Sequence, residues 1–201
     1  MRLRNNANAM NELIESKILI SDFPLNIDNN TVIELGMGKG EMIVELARKN
    51  PTINFIGIEK YATVAARAAK IADQMEIKNF KIICEDIISI PKMFVGKVDL
   101  IWLTFCDPWP KNRHEKRRLT HINFLNIYKE ILTNDGVLKF KTDNDKLFDW
   151  SVEHIKEHNI KLFNITKDFH TSNYSKGNIM TGYEKKWAKQ GKTINYLEIK
   201  F

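Results

Sequence analysis

Between Thr104 and Thr120 the chain reads TFCDPWPKNRHEKRRLT. A carboxylate, Asp107, ends an apolar run. A tryptophan follows between Pro108 and Pro110. Then come Lys111, Arg113, Lys116, Arg117 and Arg118 against a single acid, Glu115. Prolines restrict the backbone, so the carboxylate is presented on a stiff loop. Cations placed directly beyond it suit a polyanion. Together they suit electrostatic work on a nucleic-acid base at Asp107, with the backbone phosphates lying over the cations. Trp109 either stacks on that base or packs under the loop.

A second stretch carries ligand chemistry. ELGMGKGE, residues 34–41, follows the pattern acidic-x-Gly-x-Gly-x-Gly. A dinucleotide fingerprint, Gly-x-Gly-x-x-Gly, would need its third glycine at position 41, where this chain has Glu41. A carboxylate there repels a pyrophosphate. The loop suits a ligand with an adenosine and no pyrophosphate, and S-adenosylmethionine is the candidate. Gly36, Gly38 and Gly40 let the backbone approach it without a Cβ in the way. Glu34 can face its cationic amino-acid end. Glu59, at the end of the next apolar run, is placed to accept from the two ribose hydroxyls. Asp86, at the end of the third, can accept from the adenine amino group.

The elements that position these groups follow from periodicity. Apolar, β-branched runs at 31–35, 54–59, 80–86, 97–105 and 137–142 predict strands. Helical spacing predicts helices at 40–50, 62–75, 116–132 and 144–159, with a short helix near 10–20. Asn134-Asp135-Gly136 predicts a turn. Two late strands, 160–166 and 193–201, flank a polar, basic loop. Alternating strands and helices imply a mostly parallel sheet with helices on both faces and an antiparallel addition at one edge. Ligands in such sheets bind outside the carboxyl ends of the strands. Glu34, Glu59, Glu85-Asp86, Asp107 and Asp143-Asn144 put an acidic or amide group at five strand ends on that rim.

The whole chain sets the outer limits. It has 201 residues, 43% hydrophobic and 28% charged, with a formal net charge of +6. That fits a globular chain with a full core. The expected organisation is a basic arm and short helix at 1–20, then a single domain at 21–201. The positive charge is concentrated. Residues 1–10 carry +2, 104–120 carry +3 and 176–192 carry +4, while the remainder is net negative. Concentrated positive charge is the footprint of a nucleic-acid surface. Cys84 and Cys106 form no Cys-x-x-Cys pair and have no histidine at zinc spacing, so neither a metal nor a disulfide is expected. No apolar run approaches the roughly 18 residues a membrane span needs. The N-terminal segment lacks the apolar core of a signal peptide. A cytoplasmic protein is expected.

Six segments in this order, ELGMGKG, GIEKY, CED, DPWPKNRHEKRRL, FKTDN and TGYEKKW, resemble the bacterial tRNA (guanine-N7)-methyltransferases. The likeness runs from RLRN near the start almost to the last strand. It implies a class I methyltransferase, a Rossmann-like α/β fold with a mostly parallel seven-stranded sheet and an antiparallel last strand. It also implies S-adenosylmethionine as cofactor and tRNA as partner, with the variable-loop guanine as target. Glu34, Glu59 and Asp86 become cofactor contacts. Asp107 becomes the catalytic acid, also near the cofactor. Lys111 and Asp143 become substrate positions, and Arg113, His114, Lys116, Arg117 and Arg118 an RNA-contacting stretch. Thr181, Tyr183 and Glu184 match a second substrate motif, Thr-Glu-Tyr-Glu, in which Gly182 replaces the first Glu. Cys106 stands where Ser or Pro is familiar, and Thr104 where Asn is common. The arm lacks the aromatic often found after RLRN. Two other readings stay open. One is an exocyclic-amine methyltransferase, whose [Asp/Asn]-Pro-Pro-aromatic motif is near to Asp-Pro-Trp-Pro. The other is a non-catalytic RNA-binding module.

Overall fold

A computed structural model describes residues 6–201 of the chain. Its strands are β1 (Leu19–Ile20), β2 (Leu25–Ile27), β3 (Thr31–Leu35), β4 (Asn54–Ile58), β5 (Phe80–Ile83), β6 (Phe94–Gly96), β7 (Val98–Thr104), β8 (Leu132–Thr142), β9 (Lys161–Thr166) and β10 (Asn195–Lys200). Its helices are α1 (Ala9–Glu15), α2 (Glu41–Lys49), α3 (Ala62–Gln74), α4 (Ile90–Met93), α5 (Ile122–Ile131), α6 (Asp145–Glu157) and α7 (Gly182–Ala188).

The main sheet has the order β1-β5-β4-β3-β7-β8-β10-β9. Strands β1 through β8 in it pair in parallel, and β10 runs antiparallel between β8 and β9. The expected parallel sheet with a reversed last strand is present. An eighth strand is added, because Leu19 and Ile20 pair with Ile82 and Ile83 at the edge. Strands β2 and β6 form a separate parallel pair.

Side chains alternate across a strand, so a sheet covered on both sides needs apolar residues facing each way. Ile56 and Ile58 of β4 join Leu103, Phe140 and helices α4, α5 and α6 on one face. Phe55 joins Phe80, Ile82 and helices α1, α2 and α3 on the other. The alanines of α3 are what let that second face close tightly. Ala65, Ala68 and Ala69 are buried against neighbours that include Ala9 and Leu13 of α1. Residues 9–20, read from sequence as part of an appended arm, are therefore built into the fold. Arg2 and Arg4 lie outside the described residues.

Three local expectations change. The helix read at 116–132 begins only at Ile122, and Asn112–Arg117 form a 3-10 turn. The break sits at Arg118, whose backbone is extended (φ −67°, ψ 128°). Its guanidinium donates to the Trp109 carbonyl at 3.1 and 3.3 Å and lies 4.3 Å from the Trp150 ring centroid. The start of α5 is set by two histidines. His121 Nδ1 accepts from the Asn123 N–H at 3.2 Å, and His154 Nε2 accepts from the Ile122 N–H at 3.1 Å. Burial holds both rings below the usual histidine range, which keeps these lone pairs free to accept.

Asn134-Asp135-Gly136 is not a turn between elements but an excursion within β8. Val98 pairs with Leu132 while Leu100 pairs with Val137, so extra residues bulge out of the ladder. Finally, the late basic loop contains α7. Thr181 caps it by accepting from the Glu184 N–H at 3.0 Å.

Candidate active site

The rim formed by the carboxyl ends of β3, β7 and β8 opens into a cleft of about 530 Å³. Gly36, Gly38, Asp107, Asp143, Thr181 and Tyr183 all line it. Six residues chosen from four separate stretches of sequence thus share one cavity.

The glycine loop follows β3 directly. Gly38 has φ +57°, a left-handed conformation that favours glycine, and a Cβ there would meet no atom within 4 Å. Its missing side chain leaves open space at the cleft. Gly40 differs. Its φ is also left-handed, at +69°, but a Cβ would stand 2.6 Å from the Ala68 Cβ. Gly40 is needed for α2 to pack on α3. Packing alone thus accounts for a glycine here, beside the cofactor contact expected from sequence.

Glu59, just past β4, is held from two sides. It accepts from the Gly38 N–H at 3.1 Å and the Tyr61 N–H at 2.9 Å. Burial raises its carboxyl above the usual range against these bonds, and the charge of Asp107 adds to the rise. Glu59 therefore fixes the glycine loop against the next strand end and shares the field of the cleft acid. Asp86 lies further out. It pairs with Lys60 at 2.7 Å and accepts from the Ile88 N–H at 3.2 Å, and the Lys60 hydrogen bond leads in lowering its pKa. Asp86 does not line the cleft.

Glu34 sits beneath the rim, 1% exposed. Thr104 on the neighbouring strand donates to its Oε1, while its Oε2 is buried with no partner. Burial pushes its pKa up to about 7, against the pull of the Thr104 hydrogen bond, the Lys141 charge and the Ile43 N–H.

The loop after β7 carries Asp107 into the cleft. Phe105 (φ +50°) and Trp109 (φ +41°) both adopt left-handed backbone on either side of it. Such conformations are uncommon without glycine and reorient the chain sharply. Trp109 is half-buried. Arg117 lies 4.9 Å from its ring centroid and His114 packs edge-on at 5.8 Å. Of the two roles open for it, packing within the loop is the one its contacts fill. Lys111, Arg113, Lys116 and Arg117 are exposed beyond the cleft. His114 is half-buried, and Arg118 is only 5% exposed. Arg118, expected in the RNA-contacting stretch, is engaged instead by Trp109 within the loop and by Trp150.

The strap 170–192 closes the other side. Tyr183 donates its hydroxyl to Asp143 at 2.9 Å and packs its ring on Phe105 at 5.3 Å. Its neighbour Glu184 is 0% exposed and points away from the cleft lining. There it meets Lys141 Nζ at 2.7 Å, His170 Nε2 at 2.8 Å and Asn178 Nδ2 at 2.9 Å. Burial works against its charge, but Lys141 and the three hydrogen bonds outweigh it and hold the carboxyl below the usual range. Glu184, expected among the substrate positions, anchors the strap behind the cleft in this structure.

Two participants were missed from sequence. Lys141 alternates with Lys139 along β8, which reads as a solvent-facing row, yet Lys141 is fully buried under the strap. Helix α7 carried a signal that went unused: Thr181-x-x-Glu184 is the spacing of a helix-capping pair. Away from the cleft, His154, Glu157 and His158 lie close enough together to suggest a metal site. The His154 Nε2 lone pair is already spent on Ile122, so that ring's proton sits on the nitrogen facing Glu157.

A family model described as "Putative methyltransferase" matches residues 28–197. A relative from Mycoplasmopsis pulmonis named tRNA (guanine-N(7)-)-methyltransferase is 49% identical over 201 residues, covering 100% of this chain and 99% of its own. A second of the same name, from Mycoplasmopsis agalactiae, is 50% identical over 199 residues, covering 98% and 97%. Among solved structures, SMU.1697c, a putative methyltransferase from Streptococcus mutans in complex with SAH, aligns with a TM-score of 0.58 at 14% identity. It covers 98% of this chain and 99% of that one. An antibiotic-related methyltransferase aligns with a TM-score of 0.60 at 14% identity, over 100% and 96% of the two chains. These likenesses extend to the fold. The sequence relatives carry the assignment further, over the whole length: the chain belongs to the tRNA (guanine-N(7)-)-methyltransferase family.

Proposed function

We propose that the protein transfers a methyl group from S-adenosylmethionine to N7 of a guanine in tRNA, in the variable loop, by in-line displacement. One observation carries the reading. Asp107 faces the same cleft as Gly38 on one side and Asp143 with Tyr183 on the other. On this reading donor and acceptor would lie side by side, and the names of the full-length relatives support guanine and tRNA as the acceptor.

The residues fit the donor. The open backbone at Gly38 admits a ligand, and the unpartnered Oε2 of Glu34 is a buried acceptor that a ligand cation would satisfy. Glu59 would accept from the ribose hydroxyls. Gly36 and Gly38 would border the donor, with Asp86 toward the adenine from outside the cleft. When bound, the donor supplies an electrophilic sulfonium methyl.

Guanine N7 has a lone pair and no proton, so no base is needed. The protein's work is to orient and to stabilise charge. Orientation alone can contribute roughly 7–11 kcal/mol. Asp107 offsets the positive charge that grows on the purine. Asp143, steadied by Tyr183, accepts from the guanine N1–H and amino edge. Lys111 meets a phosphate or the purine oxygen, and Thr181 borders the same edge of the cleft. Arg113, Lys116 and Arg117 hold phosphates beyond it, with His114 beside them.

The test is incubation of the protein with labelled donor and bulk tRNA, followed by digestion to nucleosides. Label in 7-methylguanosine is expected; label in an N-methylated adenosine or cytidine would overturn the reading. Asp107→Ala is expected to lower turnover about 10²–10³-fold while donor affinity stays near wild type. Wild-type turnover would remove Asp107 from the chemistry.

A further inference from the structure

We infer that Glu41 is a positioning residue whose contact with Gly182 couples donor binding to tRNA binding; this rests on the methyltransferase reading above. Glu41 is the first residue of α2, directly after the glycine loop. Its Oε2 accepts from the N–H of Gly182, the first residue of α7. One hydrogen bond to a charged acceptor therefore joins the donor side of the cleft to the strap that carries Tyr183.

Three consecutive residues of the strap are tied to three different parts of the site. Gly182 is tied to Glu41, Tyr183 to Asp143 and Glu184 to Lys141. The last tie is buried and belongs to the folded framework. The first two sit at the cleft, where ligands arrive. Behind Glu41 the strap lies over open space. A cavity of about 670 Å³ separates Ile71 and Met75 of the α3 end from Ile179 and Met180 of the strap. The Glu41 carboxylate bridges that gap, and a charge-assisted bond is the stronger kind.

The residue at 182 is matched to this role. A Cβ on Gly182 would lie 2.9 Å from Glu41 Oε2, so any side chain there pushes the carboxylate aside. A glutamate at 182, as the related motif has, would also set two carboxylates against each other. Glycine is what lets Glu41 reach the backbone. A donor that orders the loop 36–40 then orders the strap through Glu41, and tRNA engaging Tyr183 orders the donor loop in return.

The experiment measures tRNA affinity by filter binding with and without saturating S-adenosylhomocysteine. In the wild type the ligand is expected to tighten tRNA binding on the order of 5–10-fold, at the lower end of common coupling factors. Glu41→Ala is expected to reduce that factor to about 2 or less. Glu41→Gln, whose amide oxygen still accepts from Gly182, should keep most of it, a rescue that general loosening would not produce. Gly182→Glu should lose it, and Glu41→Gln with Gly182→Glu should recover part by removing the charge clash. Gly182→Ala serves as the strap-side test should Glu41→Ala not fold. Absence of coupling in the wild type, or the full factor in Glu41→Ala, would overturn the proposal. Absence of any binding of either ligand to the wild type would instead overturn the methyltransferase reading beneath it.

Discussion

Glu34 and Glu184 are both buried carboxyls, and both feel the charge of Lys141. Their fates differ. Glu184 has every oxygen engaged, by Lys141, His170 and Asn178, and its carboxyl is held below the usual range. Glu34 has one oxygen on Thr104 and one with no partner, and burial lifts it to about 7. The first is committed to the framework, and its function is the position of the strap. The second keeps acceptor capacity under the glycine loop, at a cost in stability. Between these two acids, burial is alike and the count of partners is what differs.

The largest effect should come from breaking the committed group. Lys141→Met leaves Glu184 buried without its counter-ion, and loss of about 3–5 kcal/mol in urea unfolding is expected. A loss under 1 kcal/mol would mean that the pair is not the strap's anchor.

A smaller effect, opposite in pH sense, belongs to Glu34. Its folded pKa of about 7 lies above the ordinary carboxylate value of 4.5. Between these values the folded form holds a proton that the unfolded form has released, so its contribution to stability falls as pH rises through that window. Glu34→Gln should remove that slope, a difference of about 3 kcal/mol between the two ends by the usual conversion. Glu184 has the reverse sign, with its stabilisation lost as pH falls. Equal pH slopes in wild type and Glu34→Gln unfolding would contradict the raised value.

The smallest effect tests the same contrast in the basic stretch. Arg118 is committed to Trp109 and Trp150, whereas Arg113, Lys116 and Arg117 are exposed. Replacing the three exposed cations together should flatten the plot of log tRNA affinity against log salt by roughly 2–3. An unchanged slope would make them a solvated surface.

Much of this was legible beforehand because it is local. Short apolar runs closed by acids and glycines specify buried parallel strands and their ligand-facing ends, and those elements stand within a few residues of expectation. What was not legible depends on contacts distant in sequence. Arg118 ends the 3-10 turn through Trp150 on another helix. Lys141 has the alternation of a surface residue until the strap covers it. Gly40 and Gly38 look alike in sequence, and only the approach of Ala68 shows that one serves packing while the other faces the cleft. Glu184 shares a motif with Tyr183, but adjacent residues near a helix start point in different directions.

The central claim is that the rim acids aim a methyl group at one purine nitrogen. Guanosine methylated at N7 becomes labile to borohydride reduction followed by aniline scission, and other methylated nucleosides do not. The decisive measurement maps that scission on tRNA treated with the protein and S-adenosylmethionine. The expected result is one cut, at a variable-loop guanine, present with wild type and absent with Asp107→Ala; methyl incorporation without a cut, or cuts confined to another loop, would contradict the account.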